Sequence, residues 1–239
     1  MVTKEGRGSG TMQEVSNRSD LAIFAEKYRL DEKFPDRAME RMKLVRVEKG
    51  EFLCLPGRTL HNLALLVSGK LKISKTLSNG KSLLLRFNQP LSVIGDVELV
   101  TGRPVTTYVE AMTESFVVTV DFSALREECM EDISFLTFLL QAVSSKLYTS
   151  SNSTSINMLA TVNVRLASYL LSNSGSDVSE ELYTPKLTDL AELLGTSYRH
   201  LNRVIRDFCD ADLIERGNGR FLIKDRNRLQ GLANGNIYE

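Results

Sequence analysis

The sequence predicts an α+β protein with three successive parts: an N-terminal antiparallel β-roll, a long helix, and a C-terminal pair of short helices followed by a β-hairpin. Three observations support this prediction. Short apolar runs separated by turn residues fill residues 43–121. An apolar repeat with spacings of three and four residues begins at Ile133. Two amphipathic helical stretches joined at Gly195 occupy residues 187–208.

Composition limits the classes of function. The 239 residues suffice for one large or two medium domains, and a hydrophobic fraction of 42% suffices for a packed core. Because the formal net charge is zero, any affinity for nucleic acid must come from a local basic patch. We find no apolar run of about 18 residues, the length that a membrane span needs, and no hydrophobic signal-peptide core. We therefore expect no membrane partner and a cytoplasmic location.

Composition and predicted secondary structure divide the sequence into four segments. Residues 1–19 are polar and bear Gly and Ser, and we expect a disordered tail. The β-roll domain is expected over residues 20–125, the long helix over 126–160 and the C-terminal domain over 161–239.

The β-roll begins with a short helical pattern over residues 20–42. Five runs typical of strands follow, and they cover residues 43–47, 63–67, 70–74, 82–87 and 116–120. The strongest hairpin signal is Asn79-Gly80, since both residue types tolerate positive φ. Many short strands at close spacing predict a compact antiparallel barrel or sandwich.

The long helix carries an apolar seam. Its members recur at the spacing of a coiled-coil interface: Ile133, Leu136, Leu140, Val143 and Leu147. A single amphipathic helix often packs only on its own domain. Because the helical pattern continues toward Met158, beyond what the β-roll needs, we favour a parallel homodimer. Residues 150–154 are polar, so the far half of this helix is expected to pack less tightly.

The two short helices predict DNA recognition. In the second, Leu201, Val204, Ile205 and Phe208 share one face, and Arg199, Arg203 and Arg206 lie opposite. Outward arginines are usually only solvated. However, residues 198–206 contain no acid, and the turn at residues 195–197 has the length of a helix-turn-helix. Such a helix enters the major groove of double-stranded DNA.

The hairpin after these helices resembles a wing. Apolar runs flank Gly217-Asn218-Gly219, which favour a tight turn. Arg216, Arg220 and Lys224 could reach phosphates, although an ordinary surface charge explains Lys224 equally well. A helix over residues 162–171 and a loop over 172–177 precede this domain, which begins near residues 183–185, and a last helix is expected over residues 225–233.

We assign the DNA contacts by residue type. Arginine donates to both guanine acceptors in the major groove, so Arg199 and Arg203 are the expected base-reading residues. The remaining expected contacts divide into lesser base contributors and phosphate contacts: Tyr198, His200 and Asn202 for the former, and Arg206, Arg216 and Arg220 for the latter.

Catalytic and metal sites are not predicted. Only His61 and His200 are present, and we find no P-loop, nucleophile elbow or HExxH motif. Cys54, Cys129 and Cys209 form no C-x-x-C pair, which argues against zinc or an iron–sulfur cluster. We expect buried cysteines, with a regulatory thiol at Cys54 as the alternative. The protein is not expected to be an enzyme.

The order of these parts resembles the CRP/FNR family of bacterial transcription regulators. The local marks are two glycines seven residues apart within residues 45–57, then residues 69–72, the turn at residues 95–99, and Leu190-Ala191 leading through Gly195 to Arg203. The resemblance covers residues 20–233. It implies a cyclic-nucleotide-binding-like jelly roll, homodimers on near-palindromic DNA, and action on promoters, with RNA polymerase as a further partner where transcription is activated.

The resemblance also places an effector pocket, which departs from the family pattern. The corresponding residues are Gly95, Asp96, Glu98, Arg103, Thr106 and Thr107. Cyclic-nucleotide-binding relatives have a Gly-Glu turn for the ribose and an arginine for the cyclic phosphate. Here Asp96 replaces the glutamate and Val105 falls at the arginine position, so cAMP is not expected to bind tightly.

Other effectors of the family are also not expected. The iron–sulfur relatives have clustered N-terminal cysteines, and this chain has none before Cys54. Haem would need axial ligands, for which His61 and Cys54 are the candidates. The effector stays unidentified: another metabolite, a protein partner, or none.

The DNA-reading surface departs from the family pattern as well. Relatives often pair a glutamate with an arginine four residues later, and here the pair is Arg199 and Arg203. Since glutamate accepts from cytosine and arginine donates to guanine, the usual half-site is not expected. The alternative function is a ligand-binding or protein-docking module whose helix-turn-helix reads no sequence.

Overall fold

The structure is a computed structural model, and it describes residues 13–15, 18–78, 80–174, 181–183, 186–235 and 237–238. The chain divides into two compact units. The first comprises residues 1–73 and 88–146, and the second comprises residues 74–87 and 147–239. The chain therefore passes between the units within two strands and within one long helix.

The strands form three sheets. In chain order the strands are β1 (Gln13–Glu14), β2 (Lys43–Val47), β3 (Phe52–Cys54), β4 (Asn62–Ser68), β5 (Leu71–Thr76), β6 (Ser82–Asn88), β7 (Ser92–Ile94), β8 (Tyr108–Ala111), β9 (Ser115–Asp121), β10 (Glu181–Tyr183), β11 (Ile214–Gly217) and β12 (Arg220–Ile223). Their orders are β1-β2-β9-β4-β7, β3-β8-β5-β6 and β10-β12-β11.

Helices precede, separate and follow these strands along the chain. In chain order they are α1 (Arg18–Tyr28), α2 (Asp36–Glu40), α3 (Asp96–Thr101), α4 (Phe122–Glu128), α5 (Ile133–Leu159), α6 (Val162–Asn173), α7 (Leu187–Leu193), α8 (Tyr198–Asp210) and α9 (Arg226–Ala233). A 3₁₀ turn at Leu30–Glu32 lies between α1 and α2.

The first unit is the antiparallel β domain that the sequence predicts. Strand β4 lies between β9 and β7, with Leu65 opposite both Val118 and Val93. These side chains are buried, and the core that they belong to extends to Phe135 and Leu139 of α5. The five predicted strands are present, but only β2, β4 and β9 lie wholly in this unit, since the boundary falls within β5 and all of β6 except Asn88 belongs to the second unit. Strands β3, β7 and β8 were not predicted, because runs of three or four residues show too little alternation to reveal a strand.

The N-terminal tail differs from the expectation. Within residues 1–19 we expected disorder, but β1 pairs with β2 and α1 begins at Arg18. The Val15 amide donates to the Leu44 carbonyl at 2.8 Å, and Lys43 forms an ion pair with Glu14. Backbone hydrogen bonds at a free sheet edge need no apolar pattern, so the sequence gives no local signal for them. Residues 1–12, 16 and 17 lie outside the described residues.

The second unit contains the predicted C-terminal elements. Helix α6 packs on α9 and α8, and α7 packs on α8. In β11 and β12, Gly217 lies opposite Arg220, so Asn218 and Gly219 form the two-residue turn of the predicted hairpin. The predicted turn residue Asn79, loop residues 175–177 and residues 184–185 lie outside the described residues.

Tyr238 ties together several elements of the second unit. The side chain is fully buried, and its hydroxyl donates to Asn157 Oδ1 of α5 at 2.9 Å. Its backbone amide donates to Ser172 Oγ of α6 at 2.8 Å, and its carbonyl accepts from the Phe87 amide of β6 at 2.6 Å. Asn157 in turn donates to the Leu84 carbonyl at 3.1 Å. Burial also raises the pKa of the Tyr238 hydroxyl.

Replacing Tyr238 should therefore lower the free energy of unfolding, and the loss should be larger for alanine than for phenylalanine. Tyr238→Phe loses one hydrogen bond and should cost about 1 kcal/mol. Tyr238→Ala also leaves a cavity and should cost about 3–5 kcal/mol, as for other buried aromatic residues. Urea denaturation followed by far-ultraviolet circular dichroism measures both. Ile237→Ala, at an exposed neighbour, is the control. Equal midpoints for Tyr238→Ala and the native protein would contradict this role.

Candidate nucleic-acid interface and effector turn

The orientation of α8 is fixed by its apolar face. Ser197 caps its N-terminus and accepts a hydrogen bond from the His200 amide at 3.2 Å. The four apolar residues predicted to share a face are all buried: Leu201, Val204, Ile205 and Phe208. They pack in the second unit, where α8 contacts α7, α6 and β11. The opposite face of α8 is therefore turned to solvent.

That outer face carries the predicted arginines. Arg199, Arg203 and Arg206 are exposed, and none forms a side-chain hydrogen bond or ion pair with a residue that the structure describes. Tyr198 is exposed at the first position of the helix, whereas His200 and Asn202 are half-buried at its flanks. The face is thus a cluster of guanidinium groups with no acid between residues 198 and 206. Its chemistry suits phosphates and guanine edges.

The turn between α7 and α8 depends on a glycine. Gly195 has φ +60, a backbone conformation that residues other than glycine rarely adopt. The amides of Gly195 and Thr196 donate to the carbonyls of Glu192 and Ala191, both at 2.9 Å. These hydrogen bonds close the turn after α7, and Ser197 then caps α8, which begins at Tyr198.

The hairpin brings one arginine to α8. Arg216 Nη1 donates to Asn202 Oδ1 at 3.3 Å, so these two predicted contacts lie together. Arg220 is exposed on β12. Lys224 instead binds Asp212 at 3.1 Å and lies 3.9 Å from Glu215, and these carboxylates raise its pKa. These ion pairs favour the interpretation of Lys224 as an ordinary surface charge.

The predicted effector turn lies at the start of α3, in the first unit. Gly95 has φ +93, and a Cβ there would lie 2.9 Å from the Asn62 carbonyl oxygen. Asp96 follows and is 1% exposed. Lys146 of α5 donates to Asp96 Oδ1, while Oδ2 is buried without a hydrogen-bond partner among the described residues. The Asp96 carboxylate is thus already paired with the ammonium group of Lys146.

The predicted pocket residues after Asp96 are more exposed to solvent than Asp96 itself. Glu98 is half-buried on α3, and it raises the pKa of Cys54 by its charge. Arg103 and Thr106 are exposed, and Thr107 is half-buried, in the segment between α3 and β8. Arg103 follows Gly102, the residue that caps the C-terminus of α3.

These residues do not fit a cyclic nucleotide well. Val105 is 3% exposed, and its side chain offers no donor for a phosphate. The exposed Arg103 guanidinium is not held by any hydrogen bond to a described residue. A phosphate placed beside Asp96 and Glu98 would instead meet two carboxylates, with Lys146 already bound to one of them.

Lys146 is the functional candidate that sequence reasoning missed. It is the one charged residue in the 27 residues of α5. A lone charge in an otherwise uncharged helix is a signal that it has a partner, since burying it unpaired would be costly. The partner, Asp96, lies 50 residues earlier and could not be identified from the helix alone.

Cys54 and Cys129 are buried as expected, whereas Cys209 is only half-buried. Burial, with the nearby Glu98 charge, raises the pKa of Cys54 to about 12. Burial likewise raises the pKa of Cys129 to about 11. Because the thiolate is the reactive form, this environment disfavours a regulatory role for Cys54. Within the part of the chain that the structure describes, no group of three His, Cys, Asp or Glu side chains could hold a metal.

The predicted seam on α5 is largely uncovered. Ile133 is 80% exposed, Leu140 67% and Leu147 72%, whereas Leu136 is 40% exposed and Val143 half-buried. Tyr148 continues this surface at 80% exposure. Phe135 and Leu139, on the adjoining strip of the helix, are buried in the first unit. The apolar surface of α5 is therefore wider than the strip that is covered.

Comparison with known families matches both ends of this architecture. Residues 44–132 match the cyclic nucleotide-binding domain family, and residues 164–232 match the Crp-like helix-turn-helix domain family.

Among the described residues, no helix is long and apolar enough to cross a membrane.

Individual relatives agree with these matches. The regulatory protein YeiL of Escherichia coli O157:H7 is 31% identical over 77% of this chain and 82% of its own length. A CRP-like cAMP-activated global transcriptional regulator of Mycobacterium tuberculosis is 24% identical over 80% of this chain and 88% of its own. The crystal structure of a CRP-family transcriptional regulator from Thermus thermophilus has a TM-score of 0.68 at 20% identity, covering 81% of this chain and 98% of that one, and so supports the fold. The chain belongs to the CRP/FNR family of DNA-binding transcription regulators, proteins that are not enzymes and that combine an effector-binding domain of the cyclic-nucleotide type with a helix-turn-helix.

Proposed function

We propose that the chain acts as a homodimer that binds a near-palindromic operator, with Arg199 and Arg203 contacting bases. One observation carries the proposal: α8 packs by its apolar face and exposes three arginines that bind no described residue. In this orientation the guanidinium groups are available to DNA without first breaking an ion pair. Bidentate contacts from arginine to guanine favour operators with guanine at the contacted positions.

The remaining contacts follow from position. Tyr198, His200 and Asn202 flank the arginines and would add smaller base contributions. Arg206, Arg216 and Arg220 would hold phosphates, which orients the protein without selecting sequence. The hydrogen bond from Arg216 to Asn202 supports a wing that lies against the reading helix rather than away from it.

The homodimer is supported by the uncovered seam of α5. Leucine and isoleucine side chains exposed by two thirds or more, in a row along one helix, are unfavourable in water. A second copy packed in parallel would bury Ile133, Leu136, Leu140, Val143 and Leu147 against the same residues of its partner. Closing a two-fold dimer in this way also gives two reading helices for two half-sites.

The domain assignment and location follow from this function. We assign sensing to residues 20–125, dimerisation to 126–160 and DNA binding to 161–239. A protein that binds the bacterial chromosome works in the cytoplasm. If the regulator activates transcription, RNA polymerase is its further partner.

An in vitro selection from random double-stranded oligonucleotides tests the proposal. We expect a near-palindromic consensus whose half-sites lie about one helical turn apart. Enrichment of no sequence would refute operator recognition and favour a helix-turn-helix that reads no sequence.

Removing the base-reading arginines should change specificity. Arg199→Ala or Arg203→Ala should each cost about 1–3 kcal/mol on the selected operator and relax preference at one base pair of each half-site. Arg216→Ala should instead weaken binding to all sequences and lower the salt slope by about one. Fluorescence anisotropy over a salt series separates the two effects. Unchanged operator affinity for Arg203→Ala would show that the assignment is wrong.

Charging the seam should separate the dimer. Leu140→Glu and Leu147→Glu would place facing carboxylates in the proposed interface, so analytical ultracentrifugation should find monomers. Ser134→Glu, at an exposed position of the same helix outside the seam, is the matched control and should stay dimeric. A native protein that sediments as a monomer, or seam variants that still dimerise, would contradict this interface.

The effector domain should not bind cAMP tightly. Val105 provides no phosphate donor, and Lys146 already occupies the carboxylate of Asp96. Isothermal titration calorimetry with cAMP should therefore give no submicromolar affinity. A submicromolar dissociation constant would overturn this expectation.

A further inference from the structure

One arginine of the second unit points at the turn rather than at solvent. Arg165 lies in the first turn of α6, and its Nη1 donates to the Leu194 carbonyl at 2.6 Å. The same Nη1 lies 3.5 Å from the Gly195 carbonyl oxygen. The Nε atom is buried and has no hydrogen-bond partner among the described residues. The Arg165 guanidinium thus binds the C-terminal end of α7, at a residue 29 positions later in the sequence.

These carbonyls need a donor. The last carbonyls of a helix have no amide partner within the helix, and they carry the negative end of its dipole. Helix α7 has no basic residue of its own in its last turn. Arg165 supplies a positive charge and a directed donor from a different helix. At the C-terminus of a helix this combination is favourable.

The fit around the turn is close. A Cβ on Gly195 would lie 3.2 Å from Arg165 Nη1, so the guanidinium packs against the glycine as well as bonding to the chain. Three residues after Leu194, Ser197 caps α8, and Arg199 follows two residues later. The path of the chain over Leu194 and Gly195 therefore sets where α8 begins.

We propose that Arg165 is a positioning residue for DNA recognition: it fixes the turn of the helix-turn-helix and thereby the place of Arg199 and Arg203 against the bases. This inference rests on the proposed function. Arg165 itself contacts backbone carbonyls and leaves phosphate contacts to other residues. Its loss displaces the reading arginines without removing a counter-charge to DNA.

The test compares Arg165→Gln with Arg206→Gln, a matched loss of one proposed phosphate contact. Both variants and the native protein are titrated with the selected operator and with a scrambled duplex over a salt series. Arg165→Gln should lower operator affinity about tenfold, leave scrambled-duplex affinity unchanged and keep the native salt slope. Arg206→Gln should weaken both duplexes and lower the salt slope by about one. Arg165→Lys, which keeps one charged donor, should recover part of the operator affinity.

Gly195→Ala is a second variant that disturbs the same turn, and it replaces Arg165→Gln in the test if that protein does not fold. It keeps Arg165 but forces a side chain into positive φ at the turn, so the operator-to-scrambled affinity ratio should fall as it does for Arg165→Gln. A lower salt slope for Arg165→Gln would mean a direct phosphate contact and overturn the proposal. An unchanged affinity ratio for Arg165→Gln, or for Gly195→Ala where the former does not fold, would also overturn it. If the native protein shows no operator preference, the proposed function fails first, which is a distinct result.

Discussion

The burial of one side of α8 is the constraint on which the DNA-binding unit depends. Leu201, Val204, Ile205 and Phe208 are each at most 3% exposed, and burial of such side chains contributes about 1.5–3 kcal/mol apiece. Turning the helix about its axis would expose them and bury guanidinium groups, which is costly without partners. The outward direction of the arginines is therefore set by the apolar side chains on the opposite face.

The same reasoning explains which elements the sequence predicts. Helix α8 is visible because its apolar period is local and regular, and strand β4 because its apolar residues form a continuous local run. The pairing of β1 with β2 and the ion pair between Asp96 and Lys146 are not visible, because each depends on residues far apart in the chain. The seam of α5 was predictable from its spacing. Its half-buried member Val143 was not distinguishable from the exposed ones, since periodicity does not tell how wide the covered face is.

Helix α5 shows how one helix can serve two surfaces. Phe135 and Leu139 pack into the β domain, while their neighbours Leu136 and Leu140 are exposed. An apolar surface wider than the strip that is covered needs further cover. In a monomer part of that surface stays exposed, which is why the proposed homodimer accounts for the composition of this helix better than packing on its own domain does.

The ion pair between Asp96 and Lys146 bears on what the effector domain accepts. Lys146 is the last residue of the first unit, and α5 continues from it into the second. The pair thus joins the effector turn to the helix that leads to the DNA-binding elements. An anionic ligand at this turn would compete with Asp96 for one ammonium group and would be repelled by Glu98, with Val105 offering nothing in return. Asp96 Oδ2, buried and without a hydrogen-bond partner among the described residues, is the remaining acceptor of this pair.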